Sequence, residues 1–331
     1  MYVLGLDVGG TSSRALLLDA SGRRAGYGRA PGGNPAAHGN AVAVANIGLA
    51  LELALRGIDP GLVAGAVVGL AGGGALDRQV FDPMWAAAGL RVPPRLTGDL
   101  GIAFAAGTAE PRGTALIAGT GAIAARIEDG EPVAIADGLG WLLGDQGSGF
   151  WLGREAAGAA AHALSRGETG GVLTRLVTDA LLGDELPGPA VAEMPGGAAG
   201  AAEETRAPAI RLVVRAQSRP PLELARLAPL VSRAAAEGDP AALRIVSTAA
   251  RLLCETVAEV RRPGETSPIV LAGSVLTSEG PVSSAVRERL GPATVLAGDG
   301  AGAAAWLAGR EAFGWDPATA ARLHTRIVSG D

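Results

Sequence analysis

DVGGTSSR, residues 7–14, stands between two short apolar runs near the start of the chain. The runs Tyr2 to Asp7 and Arg14 to Asp19 predict two strands, because short apolar segments bounded by turn residues are typical of strands. Glycines in the turn let backbone N–H groups approach an anion closely, and the Thr and Ser hydroxyls add donors. Asp7, at the end of its strand, can hold a magnesium ion through water. The stretch predicts either a phosphate-binding turn or a hairpin turn that needs glycine for its backbone conformation.

The second half of the chain repeats this pattern. Thr114 to Ala118 and Ala122 to Glu128 predict two strands on either side of Gly119-Thr120-Gly121, and Asp129-Gly130 predicts a tight turn after them. We interpret the recurrence, at residues 2–19 and 114–136, as an internal duplication. Two such turns facing each other would hold a triphosphate from both sides.

Three further segments combine polar groups with glycine. Leu271-Ala272-Gly273-Ser274 predicts a strand-to-helix junction, which leaves room for a purine but is also a common connection. Asp99 lies between a predicted strand and a predicted helix, so its carboxylate is either an N-cap, which the sequence alone favours, or a general base. Gly138 to Gly149 predicts a loop. That loop either binds a polyol, with Asp145 accepting hydrogen bonds, or is a long turn before the helix at Trp151.

The composition excludes several classes of protein. A length of 331 residues indicates two domains, and 48% hydrophobic with 18% charged residues indicates a globular chain. All 28 basic residues are arginine, so the chain has neither the lysine of a Walker A loop nor a Schiff-base lysine. Cys254 is the single cysteine, which excludes an intrachain disulfide and a Cys-rich zinc site. A net charge of −5 without a basic cluster indicates that nucleic acid is not a partner.

The remaining segments predict helices and one irregular region. The apolar patterns predict helices over 41–56, 77–89, 151–165, 172–182, 222–237, 240–261 and 301–309. Residues 183–210 are rich in Pro, Gly and Ala and predict a loop or insertion. We expect no leader and no membrane span, because no cleavable or sufficiently long apolar segment is present, and hence a cytoplasmic protein.

Several segments together resemble one family. The order DVGGTSSR, LAGGG, GDLGIAFAAGT, IAGTGAIAARI, GLGWLLGDQGSGFWLGREA, AAAEGDPAA and LAGSV is similar to the BadF/BadG/BcrA/BcrD ATPase family, and within it to the N-acetylglucosamine kinases. The resemblance covers most of residues 1–310, with 183–220 poorly matched. It implies an α/β protein of the actin-like ATPase (ribonuclease H-like) fold, with two α/β domains, mixed five-stranded sheets and an interdomain cleft. The implied domains are 1–112 and 113–299, with a C-terminal helix at about 300–331 packing back on the first.

The resemblance also implies roles for individual residues, with ATP and Mg2+ as cofactors and an amino sugar as substrate. The implied nucleotide-binding residues are Asp7 (which also holds the metal through water), Gly9, Gly10, Thr11, Ser12, Ser13, Gly119, Thr120, Gly121 and Gly273. The implied sugar-binding residues are Asn34, Gly72, Asp99, Gly138, Leu139, Gly140 and Asp145. Asp99 is the implied catalytic base, which overrides the N-cap interpretation. A serine and an aromatic residue that contact sugar in the animal enzyme correspond here to Ala71 and Leu139.

The implied reaction is in-line phosphoryl transfer, in which Asp99 orients and deprotonates the sugar 6-hydroxyl. N-acetylglucosamine is the expected substrate, with glucosamine, N-acetylmuramic acid and glucose as alternatives, and a homodimer is the expected assembly. Some relatives are instead ATPase activators of dehydratases and reductases that carry an iron–sulfur cluster. Those generally need two cysteines per subunit, whereas this chain has Cys254 alone. A sugar-sensing module without catalysis is the third alternative, against which Asp7, Asp99 and both Gly/Thr turns argue.

Overall fold

The computed structural model describes residues 1–183 and 198–329. The strands in that part are β1 (Tyr2–Val8), β2 (Ser12–Asp19), β3 (Arg24–Pro31), β4 (Val63–Leu70), β5 (Arg95–Gly98), β6 (Arg112–Ala118), β7 (Ala122–Glu128), β8 (Glu131–Asp137), β9 (Ile269–Ala272) and β10 (Thr294–Leu296). The α-helices are α1 (Pro35–His38), α2 (Asn40–Ala54), α3 (Arg78–Ala87), α4 (Asp99–Ala105), α5 (Gly140–Leu143), α6 (Gly149–Ser165), α7 (Val172–Leu182), α8 (Ala198–Gln217), α9 (Ala228–Ala236), α10 (Pro240–Val260), α11 (Ser274–Thr277), α12 (Pro281–Leu290), α13 (Gly300–Phe313) and α14 (Pro317–Ser329). Short 3₁₀ helices cover Pro60–Leu62, Gly73–Ala75 and Pro221–Leu227.

The described strands form two sheets with the same topology. The first has the order β3-β2-β1-β4-β5 and the second the order β8-β7-β6-β9-β10. In each sheet three consecutive strands pair antiparallel. A fourth strand pairs in parallel with the first of them, and a fifth pairs in parallel with the fourth. The predicted α/β class with mixed five-stranded sheets is confirmed. The predicted recurrence of strand, Gly/Thr turn and strand lies at the same place in both sheets.

Strand β3 shows why one element escaped prediction. Its sequence, RAGYGRAP, is rich in Gly and Arg and lacks an apolar run, so no strand was predicted there. Its glycines are required by packing, because a Cβ atom at Gly26 or Gly28 would overlap the backbone of α2 at Ala54 or Ala50. Glycine here therefore marks a close helix–sheet contact and not a loop.

Residues 183–210 were predicted as a loop or insertion. The prediction of a loop is wrong for residues 198–210, and residues 184–197 lie outside the described part. Helix α8 covers Ala198–Gln217 although it contains Pro208. Ala209 and Leu212 of this helix are buried in the core of the second sheet's helices, so tertiary packing outweighs the helix-breaking signal. The single helix predicted over 222–237 is also divided, into a 3₁₀ helix and α9.

The C-terminal region holds two helices, α13 and α14, where one was predicted. Helix α13 packs against β1 and β4 of the first sheet through a run of buried alanines and Trp306. Within residues 1–183 and 198–329, every helix is too short or too polar to cross a membrane.

Helix α4 lies between the two sheets and contributes to two cores. Leu100 and Phe104 pack with residues of β6, β7 and β9 of the second sheet. Ile102 and Ala105 pack instead with the first sheet and α13. The buried His324 of α14 hydrogen-bonds through Nε2 to the Ala105 carbonyl oxygen at 2.6 Å. Both faces and the C-terminal end of this helix are thus fixed.

Two glycines of α6 provide a matched test of the packing. A Cβ atom at Gly153 would overlap the carbonyl oxygen of Leu224, whereas one at Gly158 would meet nothing within 4 Å. We expect Gly153→Ala to lower the free energy of unfolding by about 1–3 kcal/mol or more through overpacking. Gly158→Ala should raise it by up to about 1 kcal/mol, because alanine is the better helix former. Urea denaturation measures both, and equal effects of the two substitutions would contradict the described contact.

Candidate active site

The edge of the first sheet gathers most of the predicted site residues. Strands β1, β4 and β5 are parallel, and their register places Val8, Leu70 and Gly98 side by side. The segments that follow these residues therefore emerge at the same edge, where ligands bind in open α/β sheets. The backbone N–H of Ala71 donates to the Val8 carbonyl at 2.9 Å, which holds two of these segments together.

The first Gly/Thr turn is closed by its own backbone and by a neighbouring loop. Gly9 N–H donates to the Ser12 carbonyl at 2.9 Å, and Gly33 N–H donates to the Gly9 carbonyl at 3.1 Å. His38 Nε2 lies 2.7 Å from the Gly10 carbonyl oxygen. The Cα of Gly10 faces open space, since a Cβ atom there would meet nothing within 4 Å. The turn is thus rigid at its base and open at its tip.

Asp7 is half-buried next to the turn and is held between a cation and a helix start. Its carboxylate forms an ion pair with Arg14, and Gly300 at the first residue of α13 lies directly against it. Burial raises the pKa of Asp7, the charge and hydrogen bond of Arg14 lower it, and nearby Asp299 raises it. The N-terminus of α13 also favours negative charge at this position.

The hydroxyl of Ser13 points into the protein. Ser13 is fully buried, and its Oγ lies against Gly33 without a hydrogen-bond partner among the described residues. Its predicted contact with a phosphate therefore cannot come from the hydroxyl in this conformation. Ser12 and Thr11 are the residues of the motif whose side chains lie nearer the surface.

Asp99 is the first residue of α4, and the N-cap of that helix is Gly98. The expectation from sequence alone that Asp99 caps the helix is wrong, because the chain enters the helix one residue earlier. Burial raises the pKa of the half-buried Asp99 carboxyl, a hydrogen bond from Leu100 N–H lowers it, and the charge of Asp7 raises it. The influence of Asp7 shows that the two carboxylates share one electrostatic environment.

Asn34 and Gly72 lie in contact at the same edge. The side-chain Oδ1 of Asn34 accepts hydrogen bonds from Ala36 N–H at 2.9 Å and Ala37 N–H at 3.3 Å, which caps α1. Gly72 lies directly against this oxygen. Since the oxygen is occupied, the Asn34 amide has its NH2 group left to donate to a substrate hydroxyl.

The second Gly/Thr turn lies at the corresponding edge of the second sheet. Gly119 N–H donates to the Gly121 carbonyl at 2.9 Å, and Gly149 N–H at the start of α6 donates to the Gly119 carbonyl at 2.7 Å. Phe150 N–H donates to the Thr120 carbonyl at 3.1 Å. Gly273 lies directly against the Ala118 carbonyl. The predicted second phosphate turn and the predicted adenosine segment are thus adjacent.

Asp145 belongs to the second turn. Its Oδ1 accepts a hydrogen bond from Ala122 N–H at 3.1 Å, and its carboxylate lies against Gly121. Burial raises the pKa of this carboxyl, the bond from Ala122 lowers it, and Asp137 raises it. The described contacts of Asp145 are therefore with the second turn. Asp145 was predicted to bind sugar together with Asn34 and Gly72, but its described contacts include neither of them.

The remaining predicted sugar-binding residues, Gly138, Leu139 and Gly140, lie on a loop whose base is closed by Asp137. The Asp137 carboxylate accepts hydrogen bonds from Asp145 N–H at 2.7 Å and Gln146 N–H at 2.8 Å. The loop leaves Leu139 68% exposed. Its second part forms the short helix α5, where a continuous loop was predicted.

The sequence reasoning missed Arg14, Asp137 and Asp299. Arg14 was given no role, although the β1–β2 hairpin places it directly opposite Asp7. Asp137 has a positive φ of 61°, which a sequence does not reveal. Asp299 is the N-cap of α13 and accepts a hydrogen bond from Ala301 N–H at 3.1 Å. The motif Asp-Gly before an alanine run could have identified that cap.

The first turn fits a magnesium–nucleotide complex better than a metal held by protein alone. Among residues 1–183 and 198–329, no three His, Cys, Asp or Glu side chains come together as a metal site. Magnesium needs only one or two carboxylates where substrate phosphates and water complete its shell. Asp7, beside a turn that is open at Gly10, meets that requirement.

Comparisons with known proteins agree with this arrangement. The BadF/BadG/BcrA/BcrD ATPase family matches residues 4–295. The structure of a candidate N-acetylglucosamine kinase from Chromobacterium violaceum is 25% identical, with a TM-score of 0.69, and the match covers 92% of this chain and 98% of that one. Comparison with proteins of curated function gives no significant match.

Two more distant structures show the fold alone. A candidate N-acetylglucosamine kinase from Porphyromonas gingivalis is 20% identical with a TM-score of 0.62, covering 98% of this chain and 99% of that one. A ROK family glucokinase from Streptomyces griseus, solved with glucose and AMPPNP, is 17% identical with a TM-score of 0.51, covering 98% and 100%. These similarities confirm the predicted actin-like ATPase fold.

The raised pKa of Asp99 yields a prediction about stability. A carboxyl whose pKa is raised on folding binds its proton more tightly in the folded state, so stability falls as pH rises from the ordinary value of 3.8 through the raised value. Asp99→Asn removes that loss. We expect the variant to be more stable than the parent at neutral pH, with the gain shrinking as pH falls through the same window. Thermal unfolding at several pH values measures this, and a variant that is less stable at neutral pH would contradict it.

Proposed function

Because this chain belongs to the BadF/BadG/BcrA/BcrD ATPase family, we propose that it is an ATP-dependent sugar kinase that phosphorylates the 6-hydroxyl of N-acetylglucosamine. The observation that carries the proposal is the arrangement of predicted site residues at the edge of the first sheet. The ends of the parallel strands β1, β4 and β5 place the open turn at Gly10, Asp7, Asp99 and the Asn34–Gly72 contact at this one edge. Phosphoryl transfer depends mainly on positioning and charge stabilisation, and such an edge supplies both.

In this proposal Asp99 is the general base. It stands at the start of a helix that is packed on both faces, so the position of its backbone is fixed relative to both sheets. Burial raises its pKa, which makes it a stronger base than an exposed aspartate. It would orient the sugar 6-hydroxyl and accept its proton as the oxygen attacks the terminal phosphate.

The nucleotide would be held from both sheets. The backbone N–H groups of the Gly9–Thr11 turn and of the Gly119–Gly121 turn would face its phosphates, and Gly273 would line the adenosine. Asp7 would hold a magnesium-bound water molecule. Magnesium, when bound, would neutralise charge on the phosphates. We assign residues 1–112 with α13 and α14 to one domain and 113–299 to the other, on the support of the α13 contact with β1 and β4.

The choice of N-acetylglucosamine rests on two structural relatives named as candidate kinases of that sugar. Asn34 and Gly72 would contact the hydroxyls of the sugar, and Gly138, Leu139 and Gly140 would approach it from the second sheet. Leu139 presents an exposed apolar side chain, which suits an acetyl group better than the ammonium of glucosamine. The alternative as an iron–sulfur ATPase activator is disfavoured, because the lone Cys254 is half-buried within α10.

An assay of ADP release with MgATP tests the substrate. We would compare N-acetylglucosamine, glucosamine, N-acetylmannosamine, N-acetylmuramic acid, glucose and no sugar, and we expect the highest kcat/KM with N-acetylglucosamine. A preference for glucosamine would retain the kinase and reject the acetylated substrate. ADP release that is independent of every sugar would contradict the kinase proposal and favour an ATPase that acts on a protein partner.

The catalytic role of Asp99 is tested separately by Asp99→Asn. We expect kcat to fall by roughly 10²–10⁴-fold, the usual contribution of a general base, because the amide cannot accept the proton. Sugar and nucleotide affinities, measured by calorimetry, should change little. Full turnover by a correctly folded variant would overturn the assignment.

A further inference from the structure

Arg14 is paired with Asp7 beside the first Gly/Thr turn. In the β1–β2 hairpin it stands directly opposite Asp7, and its Nη2 donates to the Asp7 carboxylate. Its Nε is buried and has no hydrogen-bond partner among the described residues. A buried polar group without a partner lowers stability, and such a group calls for an explanation such as a ligand.

A second arginine, Arg29, neighbours Arg14 in the sheet. On its other side Arg14 stands directly opposite Arg29 of β3, and like charges at such positions repel. Arg29 has no acidic partner within 4.0 Å among the residues that the structure describes. Asp299, which lies near Asp7 and Arg14, is already paired with Arg24 at 2.9 Å. The exposed Arg29 thus has no counter-ion beside Arg14 in the described part of the chain, and an anion bound at this place would supply one.

The composition of the chain narrows the candidates for a cationic phosphate ligand. The sequence contains no lysine, so a side chain that meets phosphate with a permanent positive charge has to be an arginine. Arg14 is three residues after Thr11, the last residue of the first turn, and is half-exposed. Its planar guanidinium has five N–H donors, so it can keep the contact with Asp7 and offer others to phosphate oxygens.

We propose that Arg14 is a nucleotide-binding residue, which contacts the phosphates beyond the α-phosphate of a nucleoside di- or triphosphate while it holds Asp7 in place. The proposal rests on the nucleotide-binding part of the proposed function and is independent of the sugar. A residue that serves only as counter-ion to Asp7 would stabilise the fold without distinguishing nucleotides by their number of phosphates.

Calorimetric titration with ADP and with AMP, in magnesium and without sugar, tests the proposal. The variants are Arg14→Gln and Arg14→Lys. The matched control is Arg24→Gln, which removes the neighbouring ion pair between Arg24 and Asp299. We expect Arg14→Gln to weaken ADP binding at least about tenfold, with AMP affinity changed less than about twofold. Arg14→Lys should show a smaller loss confined to ADP, because lysine keeps the charge but not the fork. Arg24→Gln should bind both nucleotides like the parent.

Three results would overturn the proposal. The first is that Arg14→Gln and Arg24→Gln bind ADP equally well. The second is that Arg14→Gln loses ADP and AMP affinity to the same extent. The third applies if Arg14→Gln does not fold, and is an Arg14→Lys variant that binds ADP like the parent. Binding is measured without sugar, so the outcome is separate from that of the kinase assay. If no sugar stimulates ADP release in that assay but ADP affinity still depends on Arg14, the kinase proposal is rejected and the role of Arg14 in nucleotide binding stands.

Discussion

The packing of helix α4 on both faces is the constraint on which the site depends. Leu100 and Phe104 belong to the core under the second sheet, and Ile102 and Ala105 to the core shared with α13. Neither contact can change without disturbing the other, because interiors are close-packed. Asp99 at the start of this helix is consequently positioned relative to both sheets at once, and the parallel register of β1, β4 and β5 brings Asp7 to the same edge.

The same edge concentrates charge that the fold only partly compensates. Burial raises the pKa of both Asp7 and Asp99, and the charge of Asp7 adds to the shift of Asp99. Arg14 and the N-terminus of α13 offset part of this cost at Asp7. In a bound magnesium–nucleotide complex, the cation would compensate the carboxylate charges and the phosphates would compensate the arginine charge. Stability given up at a site in this way is characteristic of residues held for function.

The parts of the fold that depend on local patterns could be predicted from the sequence, and the parts that depend on distant contacts could not. Both strand–turn–strand repeats were predicted, because short apolar runs around Gly and Thr carry their own signal. Strand β3 was missed, because its glycines serve the contact with α2. The sugar-binding role that the resemblance implies for Asp145 stays a prediction. The hydrogen bond of Asp145 to Ala122 could not be predicted, because it depends on a loop closed by Asp137. The partnership of Arg14 with Asp7 needed the register of the hairpin.

The pH dependence of kcat/KM for the sugar, at saturating MgATP, is the most direct test of the claim that a half-buried Asp99 is the catalytic base. The account predicts that activity falls as pH decreases, with a midpoint above the ordinary aspartate value of 3.8, because burial raises the pKa of this carboxyl. An acidic limb with its midpoint at or below that value, in an enzyme that is still folded, would contradict the account.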